Sequence, residues 1–107
     1  MTIEVLPSFK RALKQLAKKY PSVSDDYLRL LEKLEEDPQQ GESLGKNCYK
    51  VRFDIASKKT GKRDNSRVIT CVRIVEEMIY LLDIYDKADR STVSDKELDN
   101  LIKQIEN

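Results

Sequence analysis

The feature that most constrains the fold is the stretch Cys48–Ala56, in which apolar and polar residues alternate. Its odd positions are aromatic or aliphatic, and its even positions include Lys50, Arg52 and Asp54. A period of two is typical of a β-strand with one packed face and one displayed face. The alternation therefore predicts a sheet that packs on one side of this strand and presents cations on the other.

Two further strands follow this stretch. Arg67–Val75 and Met78–Tyr85 are apolar at both odd and even positions, so we expect both strands to be covered on both faces. Ser57–Ser66 is polar and basic with one glycine, which predicts a long hairpin loop before the second strand. Glu76 and Glu77 form the predicted turn before the third strand.

The N-terminal half predicts one strand and two helices. Thr2–Leu6 is a short apolar run that ends at Pro7, which is typical of an edge strand. From Pro7 to Tyr20 the apolar residues recur with the helical period of 3.6, which predicts a first helix that Pro21 ends. The same period returns after Ser24 and predicts a second helix that ends near Asp37. The polar segment Gln39–Asn47, with two glycines, is predicted as a loop.

Two helix starts have recognisable caps. Ser24 is the predicted N-cap of the second helix, with Val23 and Leu28 as its hydrophobic staple. Ser94 and Glu97 have the spacing of a capping box, which predicts a C-terminal helix. Val93 and Leu98 are the predicted hydrophobic staple of this helix. Its apolar stripe contains Leu98, Leu101, Ile102 and Ile105.

These elements predict a single α+β domain over residues 1–107. Its order is β-α-α-β-β-β-α, with a small antiparallel sheet. The two N-terminal helices are joined by few residues, so we expect them to form a hairpin on one face of the sheet. The C-terminal helix is expected to cover part of the other face.

Composition excludes several classes of chemistry. The chain has no histidine, which removes every triad or acid–base pair built on imidazole. Cys48 and Cys71 are the only cysteines, too few for a cysteine zinc site, and both lie in strand-like runs. We expect them to be buried free thiols and expect no metal site. There is no membrane-length apolar run and no secretory signal pattern, so we expect neither a membrane span nor a secretory signal.

Charge is distributed unevenly although the net charge is only +1. Cations are concentrated in residues 8–20 and 46–73, and acidic residues in 21–45 and 74–107. This pattern favours a protein that faces a polyanion on one side. The cations of the first helix are either part of that surface or an ordinary solvated helix face.

The order of elements and several segments resemble the RelE/ParE superfamily of type II toxin–antitoxin toxins, in particular the RelE- and HigB-like toxins. The resemblance covers nearly the whole chain. It is carried by LAKKYPS (16–22), LGKNCYKVRFDIASK (44–58), SRVITCV (66–72), IYLLDIYDKAD (79–89) and VSDKEL (93–98).

The resemblance implies a toxin that acts in the bacterial cytoplasm and is therefore cytoplasmic, with a cognate antitoxin protein and mRNA in the ribosomal A site as its partners. It implies an endoribonuclease, or mRNA interferase, that inhibits translation with lysine and arginine side chains. The family's catalytic positions correspond to Lys50, Arg52, Arg67 and Lys87, with Arg90 as a looser basic match that contacts RNA. A tyrosine or histidine often found near the family's C-terminus corresponds most nearly to Ser94, the predicted helix cap.

Elementary RNA chemistry suggests a role for each residue, because the 2′-hydroxyl supplies the nucleophile. Arg67 suits stabilisation of the phosphate, since a guanidinium binds two phosphate oxygens and stays charged, and Arg52 could share this role. Lys50 is the candidate base because neighbouring positive charge favours a neutral amine, with Asp54 as the alternative. Lys87 is the candidate donor to the leaving oxygen. Backbone phosphates are expected to contact the basic loop residues Lys58, Lys59, Lys62 and Arg63.

Three functions remain open from the sequence. The first is a ribosome-dependent mRNA endonuclease that needs no metal and no cofactor. The second is a DNA gyrase inhibitor like the ParE toxins, and the third is a binding protein that keeps the toxin fold without activity. The isolated chain is expected to be a monomer or a weak dimer.

Overall fold

The computed structural model describes residues 1–58, 66–90 and 92–105. In this part of the chain three helices pack around one sheet of five strands. In chain order the elements are β1 (Thr2–Val5), α1 (Pro7–Lys19), α2 (Val23–Glu36), β2 (Glu42–Gly45), β3 (Cys48–Phe53), β4 (Ser66–Arg73), β5 (Met78–Asp86) and α3 (Asp95–Ile102).

The sheet has the strand order β1-β5-β4-β3-β2. β1 pairs with β5 in parallel, and the other neighbours are antiparallel. The α+β class, the edge position of the first strand and the predicted order are therefore confirmed, with one additional strand, β2. The prediction of an antiparallel sheet was wrong for β1, whose parallel pairing with β5 makes the sheet mixed. The additional strand β2 lies in Gln39–Asn47, which the sequence predicted as a loop. It forms because Ser43 pairs with Tyr49 of β3, and its own sequence carries no strand signal.

The helical hairpin covers one face of the sheet, here called the helical face. The apolar stripes of α1 and α2 supply Phe9, Leu16, Leu30 and Leu34 to the core. They pack against inward-facing residues of three strands, namely Val51, Phe53, Val68, Ile79, Leu81 and Ile84. The predicted helical period and the predicted hairpin are thus confirmed. This face carries most of the buried apolar area, which is the main stabilising term in a domain of this size.

The start of α2 differs from the prediction. Its N-cap is Ser22 rather than Ser24, and Leu28 is 57% exposed, so the predicted staple was wrong. The reason is tertiary: the Ser22 hydroxyl donates to Asp26 at 2.7 Å, and Asp26 also accepts the backbone N–H of Ala56 at 3.1 Å. These contacts with the end of β3 decide where the helix begins, and no local cap signal reports them.

The opposite face of the sheet, here called the second face, is partly covered by α3. Ser94 is its N-cap, and the capping box with Glu97 is confirmed. α3 spans eight residues, so the predicted stripe residue Ile105 lies beyond its end. Leu98 is buried against Ile69, Leu82 and their neighbours. A single short helix covers only part of a sheet face, and the remaining part is where the charged strand residues lie.

Cys48 and Cys71 lie directly opposite each other on β3 and β4, beneath α3. Both are buried thiols that form no disulfide, as predicted. Hydrogen bonding with Cys71, together with burial, raises the pKa of Cys48. The thiols therefore act as small core side chains at neutral pH.

Candidate functional site

The strand register brings three predicted site residues to one face. Arg52 of β3 is the direct cross-strand partner of Arg67 on β4, and Lys50 is paired with Ile69. Residues two apart on a strand share a face, and so do direct cross-strand partners. Lys50, Arg52 and Arg67, the cation cluster below, therefore all lie on the second face. The sequence could not establish this because it does not determine hairpin register.

Arg52 and Arg67 are a non-hydrogen-bonded cross-strand pair, the kind in which side chains lie closest. The N–H of Val72 donates to the carbonyl of Asn47, which makes the adjacent pair of Cys48 and Cys71 non-hydrogen-bonded. Hydrogen-bonded and non-hydrogen-bonded pairs alternate along an antiparallel ladder, so Arg52 and Arg67 are also a non-hydrogen-bonded pair. In such pairs the Cα atoms are typically about 4.5 Å apart and the side chains approach closely.

The cation cluster is accessible to solvent but has contacts within the protein. Arg52 is exposed, whereas Lys50 and Arg67 are half-buried. The Lys50 Nζ atom lies 3.7 Å from a carboxylate oxygen of Glu42 on β2. The Arg67 guanidinium donates to the carbonyl of Ser66 at 3.0 Å. Glu42 is a neighbour that the sequence analysis missed, and its carboxylate pairs with the lysine predicted to act as the base.

Tyr85 extends the row of cluster side chains onto β5. It is the cross-strand partner of Arg67, so Arg52, Arg67 and Tyr85 follow one another across three strands of the second face. Tyr85 is only 4% exposed. Sequence reasoning treated it as an ordinary apolar strand residue, and only the register shows that it lies beside two arginines.

Arg90 covers this tyrosine. Its guanidinium carbon lies 4.5 Å from the centre of the Tyr85 ring. The same guanidinium forms an ion pair with Asp83 and a second one with Glu97, at 3.3 Å. The predicted RNA-contacting residue is thus next to the cation cluster but is held there by two carboxylates.

Lys87 and Lys58 occupy different places. Lys87 is exposed and directly follows β5, two residues after Tyr85. Lys58 lies on the helical face, where its ammonium pairs with the buried carboxylate of Asp86 at 2.8 Å. Asp86 also accepts from the Tyr20 hydroxyl at 3.3 Å. The structure therefore does not bring Lys58 to the cluster. The other loop residues predicted to bind RNA, Lys59, Lys62 and Arg63, lie outside the described residues.

Two negative findings concern the described residues. Among residues 1–58, 66–90 and 92–105, no group of histidine, cysteine, aspartate and glutamate side chains is arranged to hold a metal ion. No helix in the same part of the chain is long and apolar enough to cross a membrane.

Comparison with solved structures identifies the architecture. The chain matches a structure of the Escherichia coli toxin RelE in the free state, in a variant with two arginines replaced by alanine. The TM-score is 0.59, the identity is 17%, and the match covers 97% of this chain and 96% of that chain. The chain has a RelE-like fold. No protein-family model and no curated protein matches the sequence.

The RelE-like fold accounts for the element order. Because the match covers nearly all of both chains, the similarity extends over the helical hairpin, the sheet and the C-terminal helix. At this level of identity it establishes the fold. What the site does must be argued from its own side chains.

Proposed function

We propose that this protein is the toxin of a type II toxin–antitoxin system and that it cleaves mRNA on the ribosome. The observation that carries the proposal is the direct pairing of Arg52 with Arg67, beside Lys50, on a face that α3 leaves partly uncovered. Two arginines paired across adjacent strands place like charges side by side, and a phosphate bound by both would be stabilised by both. The RelE-like fold supports the same reading.

The proposed reaction uses the RNA's own nucleophile. The 2′-hydroxyl attacks the adjacent phosphorus atom, and the bond to the 5′-oxygen breaks. Arg52 and Arg67 stabilise the charge that develops on the phosphate oxygens, which is usually the largest contribution in such reactions. Lys50 accepts the proton of the 2′-hydroxyl, and Lys87 donates one to the departing 5′-oxygen. None of these steps requires a metal.

We expect the ribosome to position the mRNA for cleavage. The cation cluster lies on a sheet face that α3 covers only in part, so we expect it to restrain a flexible RNA strand only weakly. Alignment of the mRNA by a large partner would provide the in-line geometry on which the rate depends. A cognate antitoxin is the second expected partner.

The proposal is tested by induced expression of the wild type and of Arg67→Ala in bacteria, followed by mapping of mRNA 5′ ends. We expect the wild type to arrest growth and to produce new 5′ ends within translated codons. Arg67→Ala should lose both effects while remaining folded. Arg11→Ala is the matched control, since Arg11 is an exposed arginine on α1. Growth arrest with DNA damage and intact mRNA would favour a gyrase inhibitor, and no arrest would favour an inactive toxin fold.

A further inference from the structure

The hydroxyl of Tyr85 is an unusual group on the second face. It is buried, and among the described residues it has no hydrogen-bond partner. Buried tyrosine hydroxyls usually find a partner, because leaving one unpaired costs free energy. The hydroxyls of Ser66 and Thr70 are also unpaired, but their direct strand partners Asp86 and Leu81 place them on the helical face, away from the cation cluster.

Two arginines lie beside Tyr85. Arg67 is its direct cross-strand partner, and Arg90 lies over its ring. Burial raises the pKa of Tyr85, the positive charges of Arg90 and Arg67 oppose that increase, and Asp83 and Glu42 add to it. The phenol therefore keeps its proton at neutral pH and is available as a hydrogen-bond donor.

Arg90 is placed to control access to this donor. Its ion pairs with Asp83 and Glu97, together the Arg90 bridge, hold its guanidinium over the tyrosine ring. The side chain of Arg90 is 35% exposed, so an RNA phosphate can compete with these carboxylates for it. If Arg90 turns towards a phosphate, one face of Tyr85 loses its cover.

We propose that Tyr85 is a substrate-contacting residue whose hydroxyl donates a hydrogen bond to an RNA phosphate oxygen once the Arg90 bridge opens. The proposal rests on the proposed function for the identity of the ligand, a phosphodiester. It adds a third donor to the row of Arg52 and Arg67, and it explains why a buried hydroxyl in this row is unpaired. In the free protein the bridge keeps Arg90 neutralised and the tyrosine covered.

Two substitutions separate this proposal from a purely structural role. Tyr85→Phe removes only the hydroxyl. Glu97→Gln removes one charge of the Arg90 bridge but retains the capping box, since glutamine serves at that position as well as glutamate. Tyr80→Phe is the matched control, because Tyr80 packs against the same apolar cluster on the second face.

The measurement is the affinity of each purified protein for short, fully 2′-O-methylated single-stranded RNA, which cannot be cleaved, by fluorescence anisotropy at low salt. We expect Tyr85→Phe to bind about 3- to 10-fold more weakly, as loss of one hydrogen bond to a charged group predicts. Glu97→Gln should bind a few-fold more tightly, and Tyr80→Phe should match the wild type. The melting temperature of Tyr85→Phe should equal or exceed that of the wild type.

Opposite changes in affinity are not expected if Tyr85 and Glu97 only support the fold. Wild-type affinity in Tyr85→Phe, or unchanged or weaker binding in Glu97→Gln, would overturn the inference, as would a wild type that does not bind this RNA. Cleavage of ribosome-bound mRNA is measured alongside. If the wild type binds with the expected order of variants but cleaves no mRNA, the nuclease proposal fails and the inference about Tyr85 stands.

Discussion

At the scale of single residues, the cation cluster differs from two buried aspartates in its surroundings. The cation cluster faces solvent on the second face, whereas Asp26 and Asp86 are buried and hold segments together. Asp86 joins the end of β5 to Lys58, Tyr20 and the N–H of Ala88. None of these partners is close in sequence apart from Ala88, so no local pattern predicts them. This is why sequence reasoning assigned Lys58 to the RNA surface.

Asp86 makes stability depend on pH in a defined direction. Burial acts to raise the pKa of Asp86, but hydrogen bonds from Lys58, the Ala88 N–H and Tyr20 outweigh it, so the pKa lies below its usual value. A carboxylate whose pKa is lower in the folded state stabilises the protein above the unfolded pKa of about 3.9 and loses this effect as pH falls through the folded value.

We therefore expect Asp86→Asn to lower the free energy of unfolding at neutral pH, by up to about 3 kcal/mol, because Lys58 loses its charged partner. The difference from the wild type should shrink on acidification towards about pH 3. Urea denaturation at both pH values measures it. Asp89→Asn is the control, since Asp89 is exposed. A difference that grows in acid would contradict the stabilising role assigned to the Asp86 carboxylate.

At the scale of elements, the hydrophobic periods predicted every helix and four of the five described strands. The helical period and the capping box located α1 and α3, and alternation located β3. The sequence missed β2, because its residues Glu42–Gly45 form a strand only through pairing with β3. It also placed the start of α2 two residues late, because Asp26 and the end of β3 decide that start. Both failures are cases in which tertiary contacts outweigh local preference.

The cap of α3 provides a test of Ser94, which the sequence resemblance matches most nearly to a tyrosine or histidine near the C-terminus. The Ser94 hydroxyl accepts from the N–H of Glu97 at 3.1 Å, and the Glu97 carboxylate accepts from the N–H of Ser94 at 3.0 Å. Ser94→Ala should destabilise the protein by about 1 kcal/mol, and Ser94→Thr should keep most of the stability. Denaturant titration measures both.

If Ser94 is only a cap, RNA cleavage per folded molecule should be the same in both variants. A large loss of cleavage in Ser94→Thr at unchanged stability would instead assign Ser94 a direct role in the site.

At the scale of the whole molecule, the two faces of the sheet differ in the residues that they carry. The helical face contains the larger apolar core, and the second face combines the smaller core beneath α3 with the cation cluster. The exposed cations of α1, including Arg11 and Lys14, belong to a helix packed on the helical face. The sequence left open whether these cations join the RNA surface, and their position on the other side of the sheet favours the solvated reading.

This arrangement predicts a local salt dependence of RNA binding. Each phosphate contact made by a cation contributes about 0.7 to the slope of the logarithm of affinity against the logarithm of salt concentration for single strands. Arg67→Ala should therefore reduce the slope by about that amount, and Arg11→Ala should leave it unchanged. Anisotropy titrations over a range of salt concentrations measure both slopes. Equal losses in the two variants would mean that RNA also contacts the helical side.

The central claim is that the directly paired Arg52 and Arg67 are the phosphate site of a ribosome-dependent nuclease. Purified wild type, Arg67→Ala and Arg11→Ala are each mixed with ribosomes programmed with a defined mRNA, and the products are resolved by primer extension. We predict a discrete cut in the A-site codon by the wild type and Arg11→Ala, with a rate at least about 100-fold lower for Arg67→Ala. Equal cleavage by wild type and Arg67→Ala, or no cleavage by the wild type, would contradict the claim.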